Sequence, residues 1–221
     1  MQAKPVLKKK SQNERIEFGR KHMSWTTQWG DVIWSDEKKF NLDGPDDYAY
    51  YWHDLRKEKL VKPKRQMGGG SLMLWGCFSK NFKPALAAVP VNMDGIKYQQ
   101  LLKDHVLPLL AKPERRRSIF MQDNAPCHRA FSTIKWLDDQ KVQVMKWPPY
   151  SPDLNPIENL WGILTRSVYA GNRTFSSVEE LKKEVIKCWK NIPKATIKKL
   201  VESMPDRIFD VIANNGRSTK Y

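Results

Sequence analysis

The chain has 221 residues, 40% of them hydrophobic and nine of them Trp, so it is long and apolar enough to bury a core, and wholesale disorder is excluded. Lys and Arg number 39 against 24 acids, a formal charge of +15. That excess favours a polyanionic partner, nucleic acid before an anionic membrane surface, because each neutralised phosphate releases counterions. No apolar run approaches the roughly eighteen residues of a membrane span, and no signal peptide is visible, so spanning and secretion are not expected. The cysteines, Cys77, Cys127 and Cys188, are far apart and show neither paired metal-ligand spacing nor a disulfide framework, which fits a reducing interior compartment.

In chain order, residues 1–10 are basic, and Ser11 with Glu14 has the form of a capping box opening a helix towards Met23. Its apolar periodicity is weak. Residues 31–36 (DVIWSD) read as a buried strand ending in an acid, and residues 48–52 as an aromatic strand. The charged stretch 54–70 ends in three glycines and reads as a loop or arm. Residues 71–78 (SLMLWGCF) are a strong strand candidate and 85–91 a weaker one. Asp94 can cap a helix carrying Tyr98, Leu101, Leu102, Val106 and Leu109, with Pro108 limiting its regular end. Residues 118–122 form a short strand, again ending at an acid, Asp123, followed by a helix over 130–139 and a short strand over 142–146.

After a proline-rich turn, Asn155, Pro156 and Glu158 occupy the cap, first and third positions of a further helix. Ser177 and Glu180 form another capping box, for a helix that buries Val178, Leu181, Val185 and Trp189. The last helical region holds Ile197, Leu200, Val201 and Met204, is interrupted at Pro205, and stops at Gly216. Strands first, then alternating strand and helix, then all helix, describe a mixed α/β sheet with a helical C-terminal tail.

Two carboxylates, Asp36 and Asp123, thus sit at predicted strand ends, where open α/β sheets gather their sites, and Glu158 sits on the first turn of a helix. Phosphoryl transfer on DNA can be driven by two divalent cations about 3.5–4 Å apart. Magnesium prefers a few hard carboxylate oxygens, with water and substrate phosphate completing its shell. Each acid also has an ordinary reading. Asp36 and Asp123 can be turn formers. Glu158 can complete a capping box with Asn155. Asp153 competes as a third acid.

The local sequences add a resemblance. WSDEKKF (residues 34–40), QDNAPCH (122–128) and PPYSPDLNPIENLW (148–161) resemble, in order, the three signature segments of Tc/mariner superfamily transposases, closer to the Tc branch than to mariner proper. Thirty-four residues separate Asp123 from Glu158 (158 − 123 − 1), the family's spacing between its second and third acids. The resemblance implies a ribonuclease-H-like fold and a catalytic, metal-binding triad of Asp36, Asp123 and Glu158 using two Mg2+ or Mn2+ ions. It also implies cleavage of both strands at transposon ends and attack of the freed 3′-hydroxyl on target DNA at TA. Double-stranded DNA is then the partner, with a homodimer assembled on it, no membrane, and the nucleus as compartment.

Complete family members begin with two helix-turn-helix domains that read the terminal repeats, and nothing ahead of Asp36 supplies such a pair. The expected organisation is therefore a lead-in over residues 1–29 and a catalytic domain over 30–221, with recognition of specific ends in doubt. His128 matches the family's His and is read more readily as a structural hydrogen-bonding residue than as one orienting bound water. Asn124 is a similar accessory candidate. The arm corresponds to a loop that clasps a partner subunit in mariner relatives, while its Arg56, Lys57, Lys59, Lys62, Lys64 and Arg65 are equally candidates for phosphate contact. Trp147 and Tyr150 are candidates for base stacking or core packing. Trp161 and Trp189 read as structural. The basic runs at residues 8–10 and 62–65 are candidates for nuclear signals or phosphate contacts, and that at 115–117 for backbone contact, with solvated charge the ordinary reading of each.

Overall fold

The computed structural model describes residues 7–45, 70–115 and 117–221, leaving aside the side chains of residues 82–84 and 114. The arm residues Arg56, Lys57, Lys59, Lys62, Lys64 and Arg65, the aromatic stretch 48–52 and Arg116 lie outside the described residues. Among those described, helix α1 (Lys9–His22) leads into strand β1 (Val32–Asn41). Strands β2 (Ser71–Ser79) and β3 (Phe82–Ala88) follow, then α2 (Gly95–His105) and the short α3 (Leu107–Leu110). Strand β4 (Ile119–Met121) precedes α4 (Pro126–Arg129) and α5 (Phe131–Asp139). Helices α6 (Pro156–Val168), α7 (Val178–Lys190), α8 (Lys194–Glu202) and α9 (Met204–Ala213) close the chain.

The strands form one sheet in the order β3-β2-β1-β4. β1 pairs antiparallel with β2 and parallel with β4, which makes the sheet mixed. As a central strand, β1 is covered on both faces. Trp34 enters a core with Phe40, Leu74, Trp161 and Val185, on the side of α6 and α7. Ile33 enters a second core with Trp75, Tyr98, Leu102 and Leu137, on the side of α2 and α5. The period-two alternation of strand side chains explains why neighbours in sequence serve different cores.

Several elements depart from their sequence reading. β1 does not end at Asp36 but runs five residues further, because residues 37–41 find partners along β2 from Trp75 to Ser71. Asp123 lies two residues beyond β4 rather than at its last position. The expected strand over 142–146 contracts to a single bridge between Phe120 and Val144. α1 starts two residues before Ser11 without a side-chain cap, and Ser11 is buried instead of capping. In α7, Ser177 accepts from the Glu180 N–H as expected, but the Glu180 carboxylate returns to Ser176 rather than Ser177. Asp94 caps α2 as expected, accepting from the Lys97 N–H at 2.9 Å.

Candidate active site

The parallel register brings Trp34 opposite Met121; two residues on, the two chains reach Asp36 and Asp123, so the first two acids emerge side by side at one edge of the sheet. Ser35 locks this junction. Its hydroxyl donates to the Met121 carbonyl at 2.8 Å, and its own carbonyl accepts from Asn155 Nδ2 at 3.3 Å. Asn155 therefore does two things. Its side-chain oxygen accepts from the Ile157 N–H at the start of α6, and its amide nitrogen pins that helix start to the backbone beside Asp36. Glu158, in the first turn of α6, is carried to the acids as a result. The Asn155 N–H is already satisfied by the Pro152 carbonyl at 2.9 Å, so Glu158 is not needed for the reciprocal half of a capping box.

Asp36, Asp123 and Glu158 line one open cleft of about 440 Å³, together with Asn124, Arg129 and Tyr150. The electrostatics register their convergence. Burial and the neighbouring Glu158, Glu37 and Asp123 carboxylates raise the Asp36 pKa well above the ordinary aspartate value. Glu158 is also raised, by burial first, with Lys38 opposing and Asp123 adding to the shift. Asp123 behaves differently. Burial pushes it up, but a hydrogen bond from His128 and one from the Ala125 N–H outweigh that and hold it below the ordinary value.

Asp36 and Asp123 each have a support of their own. The Trp161 indole N–H donates to Asp36 Oδ2 at 3.1 Å, from three residues along the same face of α6 as Glu158. The ring reaches Asp36 only because the residue opposite Asp36 on β2 is Gly76; a Cβ there would lie 2.7 Å from Trp161 Cη2. His128 Nδ1–H donates to Asp123 Oδ1 at 2.7 Å, and its Nε2 lies 3.5 Å from Glu37, which points to the α2 side of β1. Burial disfavours charge on this imidazole, yet Asp123 and Glu37 together push its pKa up to about 10. Tyr98 packs on the ring at 4.0 Å and donates its hydroxyl to Gln122 at 2.7 Å. Asn124 donates to the Trp147 carbonyl at 3.1 Å while lining the cleft.

Asp153, the rival third acid, goes elsewhere. It forms a bidentate pair with the buried Arg15, at 2.8 and 2.7 Å, and accepts from the Thr219 N–H at 2.7 Å. Trp147 is packed in the core between Phe18 and Trp34, whereas Tyr150 is 74% exposed. Arg115 falls in a single helical turn ahead of β4. Sequence reasoning missed Ser35, Glu37 and Gly76, although Ser35 and Glu37 flank Asp36, and it missed Arg15 altogether. It took Trp161 as core alone.

Comparison with known proteins gives this geometry its context. Residues 31–182 match the family model described as DDE superfamily endonuclease. The chain is 43% identical to the Tc3 transposase of Caenorhabditis elegans over 217 residues, which are 98% of this chain and 65% of that protein. It is 36% identical to the Tc1 transposase of the same organism over 222 residues, 99% of this chain and 81% of that protein. In fold it matches a Mos1 transposase paired-end complex with left transposon end, with a TM-score of 0.83 and 20% identity over 99% of this chain and 66% of that one. The isolated catalytic domain of Mos1 mariner transposase superposes with a TM-score of 0.74 and 18% identity, over 99% of this chain and all of that one. The ribonuclease-H-like arrangement is thus present, a mixed four-stranded sheet flanked by helices. The chain spans about two thirds of the length of the Tc3 relative. Matched along most of its length by one family model, and above 30% identity to Tc sequences throughout, it belongs to the DDE superfamily endonucleases and, within them, to the Tc transposases.

Proposed function

We propose that Asp36, Asp123 and Glu158 form the metal-binding catalytic site of a cut-and-paste DNA transposase, which cuts at transposon ends and joins the freed 3′-hydroxyl to target DNA at TA dinucleotides. The observation that carries this is the convergence of three carboxylates from β1, the β4 end and α6 in one open cleft, two of them raised by burial and mutual repulsion. Repulsion of that kind is a standing cost to the fold, and bound cations relieve it. Among the described residues, no group of three or more Asp, Glu, His or Cys side chains stands arranged to hold a metal ion by itself, so substrate phosphate and water would have to complete any shell. An open set of hard oxygens suits Mg2+ or Mn2+, whose shell is completed by water and substrate phosphate, better than a zinc site, which would be closed by nitrogen or sulfur. Solved Mos1 paired-end complexes with Mn and with Mg are in keeping with this choice. Two such ions, when bound, would activate the attacking oxygen and stabilise the leaving one.

The chain's own residues supply placement. The Ser35 hydroxyl, bonded to the Met121 carbonyl, ties the Asp36 strand to the one leading to Asp123, and the Asn155 amide, bonded to the Ser35 carbonyl, ties the start of α6 with Glu158 to the same point. Trp161 holds the Asp36 carboxylate from the core side, leaving its other oxygen for the cleft. His128, with Glu37 3.5 Å from its Nε2 as a charge partner, donates to Asp123, orients it and keeps it ionised. One site can serve both steps, because each is an in-line attack on phosphorus, by water first and by a DNA hydroxyl second. The reading includes assembly as a homodimer on DNA, action in the nucleus, and phosphate contacts by the basic arm residues. The test is a cleavage-and-joining assay with intact ends and with a pre-cut end bearing a free 3′-hydroxyl. Cutting and joining that require Mg2+ or Mn2+ are expected. Binding without either reaction, or full activity in EDTA, would overturn the proposal.

A further inference from the structure

A second cavity, of about 680 Å³, runs along α1 and meets the catalytic cleft. The two share the lining residues Asn124, Arg129, Trp147, Pro148, Pro149 and Tyr150, so the groove and the cleft adjoin. Lys8, Lys10, Lys21, Arg129 and Lys146 line this groove against two carboxylates, Glu14 and Glu17. At the seam stands Tyr150, exposed, with its backbone at φ +52°, a region where bulky residues are rare. The surroundings hold it there. Buried Arg15 donates to the Tyr150 carbonyl at 3.3 Å, to Ser151 Oγ at 2.7 Å and to Asp153 on both oxygens. Ser151 in turn donates to the Pro149 carbonyl at 3.0 Å. A phenol ring is thus presented to solvent from a rigid turn, while Trp147 beside it is only 8% exposed.

We propose that the α1 groove is the path of a single-stranded DNA segment adjoining the scissile phosphate, with one unpaired base stacked on Tyr150. The assignment rests on the transposase reading above. Cations along a groove track a phosphate backbone, and a rigid exposed aromatic offers a platform to any base whose face has left the duplex stack. A fully paired duplex would leave the ring unused, since its base faces are already covered.

The test uses the full chain and fluorescence anisotropy in EDTA, so that no cutting intervenes. One probe is a duplex with a single-stranded tail of about five nucleotides at the cleavage position, and the other carries the same tail without bases. The parent should bind the base-bearing tail roughly tenfold more tightly than the abasic one. Tyr150→Phe should keep that preference. Tyr150→Gly, which suits the left-handed backbone and so preserves the turn, should abolish it. The double variant Lys10→Ala/Lys21→Ala should weaken binding of both tails and flatten the salt dependence. Equal affinity of the parent for the two tails, or an undiminished preference in Tyr150→Gly, overturns the proposal. If cutting and joining persist in that case, the transposase reading stands alone. Failure to bind or cut any DNA overturns both.

Discussion

Asp153 and Glu158 lie five residues apart in one proline-rich segment, and the fold assigns them opposite tasks. Asp153 is paired with Arg15, a buried guanidinium from the other end of the chain, and its pKa is lowered: burial opposes ionisation, but the Arg15 hydrogen bonds and charge prevail. It ties α1, the turn before α6 and the C-terminal residues into one knot, since Arg15 also donates to the carbonyls of Gly216 and Arg217. Glu158 faces two other acids and is raised. A carboxylate satisfied inside the protein stabilises it. A carboxylate left facing others is held at a cost that a proton or a bound cation relieves. Local spacing alone does not separate the two; their partners do.

The largest expected effect concerns activity. Asp36→Asn removes one anionic oxygen donor from the cleft, and cleavage should fall by about a thousandfold or more, several kcal/mol of transition-state stabilisation. The same substitution should leave the protein as stable as before or more so, because it removes a buried charge from among like charges. Thermal melting alongside a cleavage time course checks both statements.

Next comes the knot. Arg15→Met leaves Asp153 buried without its partner and should cost about 3–5 kcal/mol in denaturant unfolding. The pH dependence follows from the directions of the shifts. Asp153 is lowered in the fold, so its contribution is present above its unfolded pKa near 3.8 and is lost as pH falls through the folded value. Asp36 is raised, so its contribution has the opposite sign: stability declines as pH rises from about 3.8 towards the raised value. Acid titration of stability should therefore show a steep loss at the lowest pH in the parent, and a shallower one in Asp153→Asn.

Smaller effects belong to the supports. Gly76→Ala puts a methyl against Trp161 and Trp189, with the Cβ 2.7 Å and 3.3 Å from their rings, and should cost about 1–3 kcal/mol through overpacking. Cleavage should drop as well, because Trp161 must shift away from Asp36. Trp161→Phe removes the indole donor to a carboxylate, a bond worth about 1.5–3 kcal/mol, and also leaves a void at a buried position, so its stability loss should exceed that of the bond alone. A rate unchanged in both variants would show that Asp36 needs no such support.

How much of this was legible in the chain depends on range. Asp94 and Asn155 act within a few residues of themselves, and their caps were readable from local chemistry. The three acids stand in ordered motifs at the family's spacing, and the fold lines one cleft with them. The partners that place the acids were not. Trp161 meets Asp36 across 125 residues, Ser35 meets Met121 across 86, and Arg15 meets Asp153 across 138. α1 looked weakly patterned because its buried face carries Ser11, Arg15, Gly19 and His22 with a single large apolar side chain, Phe18. The sequence reads β1 as ending at Asp36 because Asp, Glu and Lys are depleted in strands, whereas here residues 37–39 continue along β2. The strand expected over 142–146 failed for the converse reason: Val144 makes only one bridge to Phe120.

The most direct test is to measure cleavage rate and melting temperature side by side for Glu158→Gln and Asp153→Asn. Glu158→Gln should lose about a thousandfold or more in cleavage with melting unchanged or raised, since its cap duties are already met by Asn155 and Pro152. Asp153→Asn should melt lower, by about 3 kcal/mol of stability, and below its melting temperature should cut at a rate of the parent's order. A folded Asp153→Asn that is inactive, beside a Glu158→Gln that still cuts, would contradict the account.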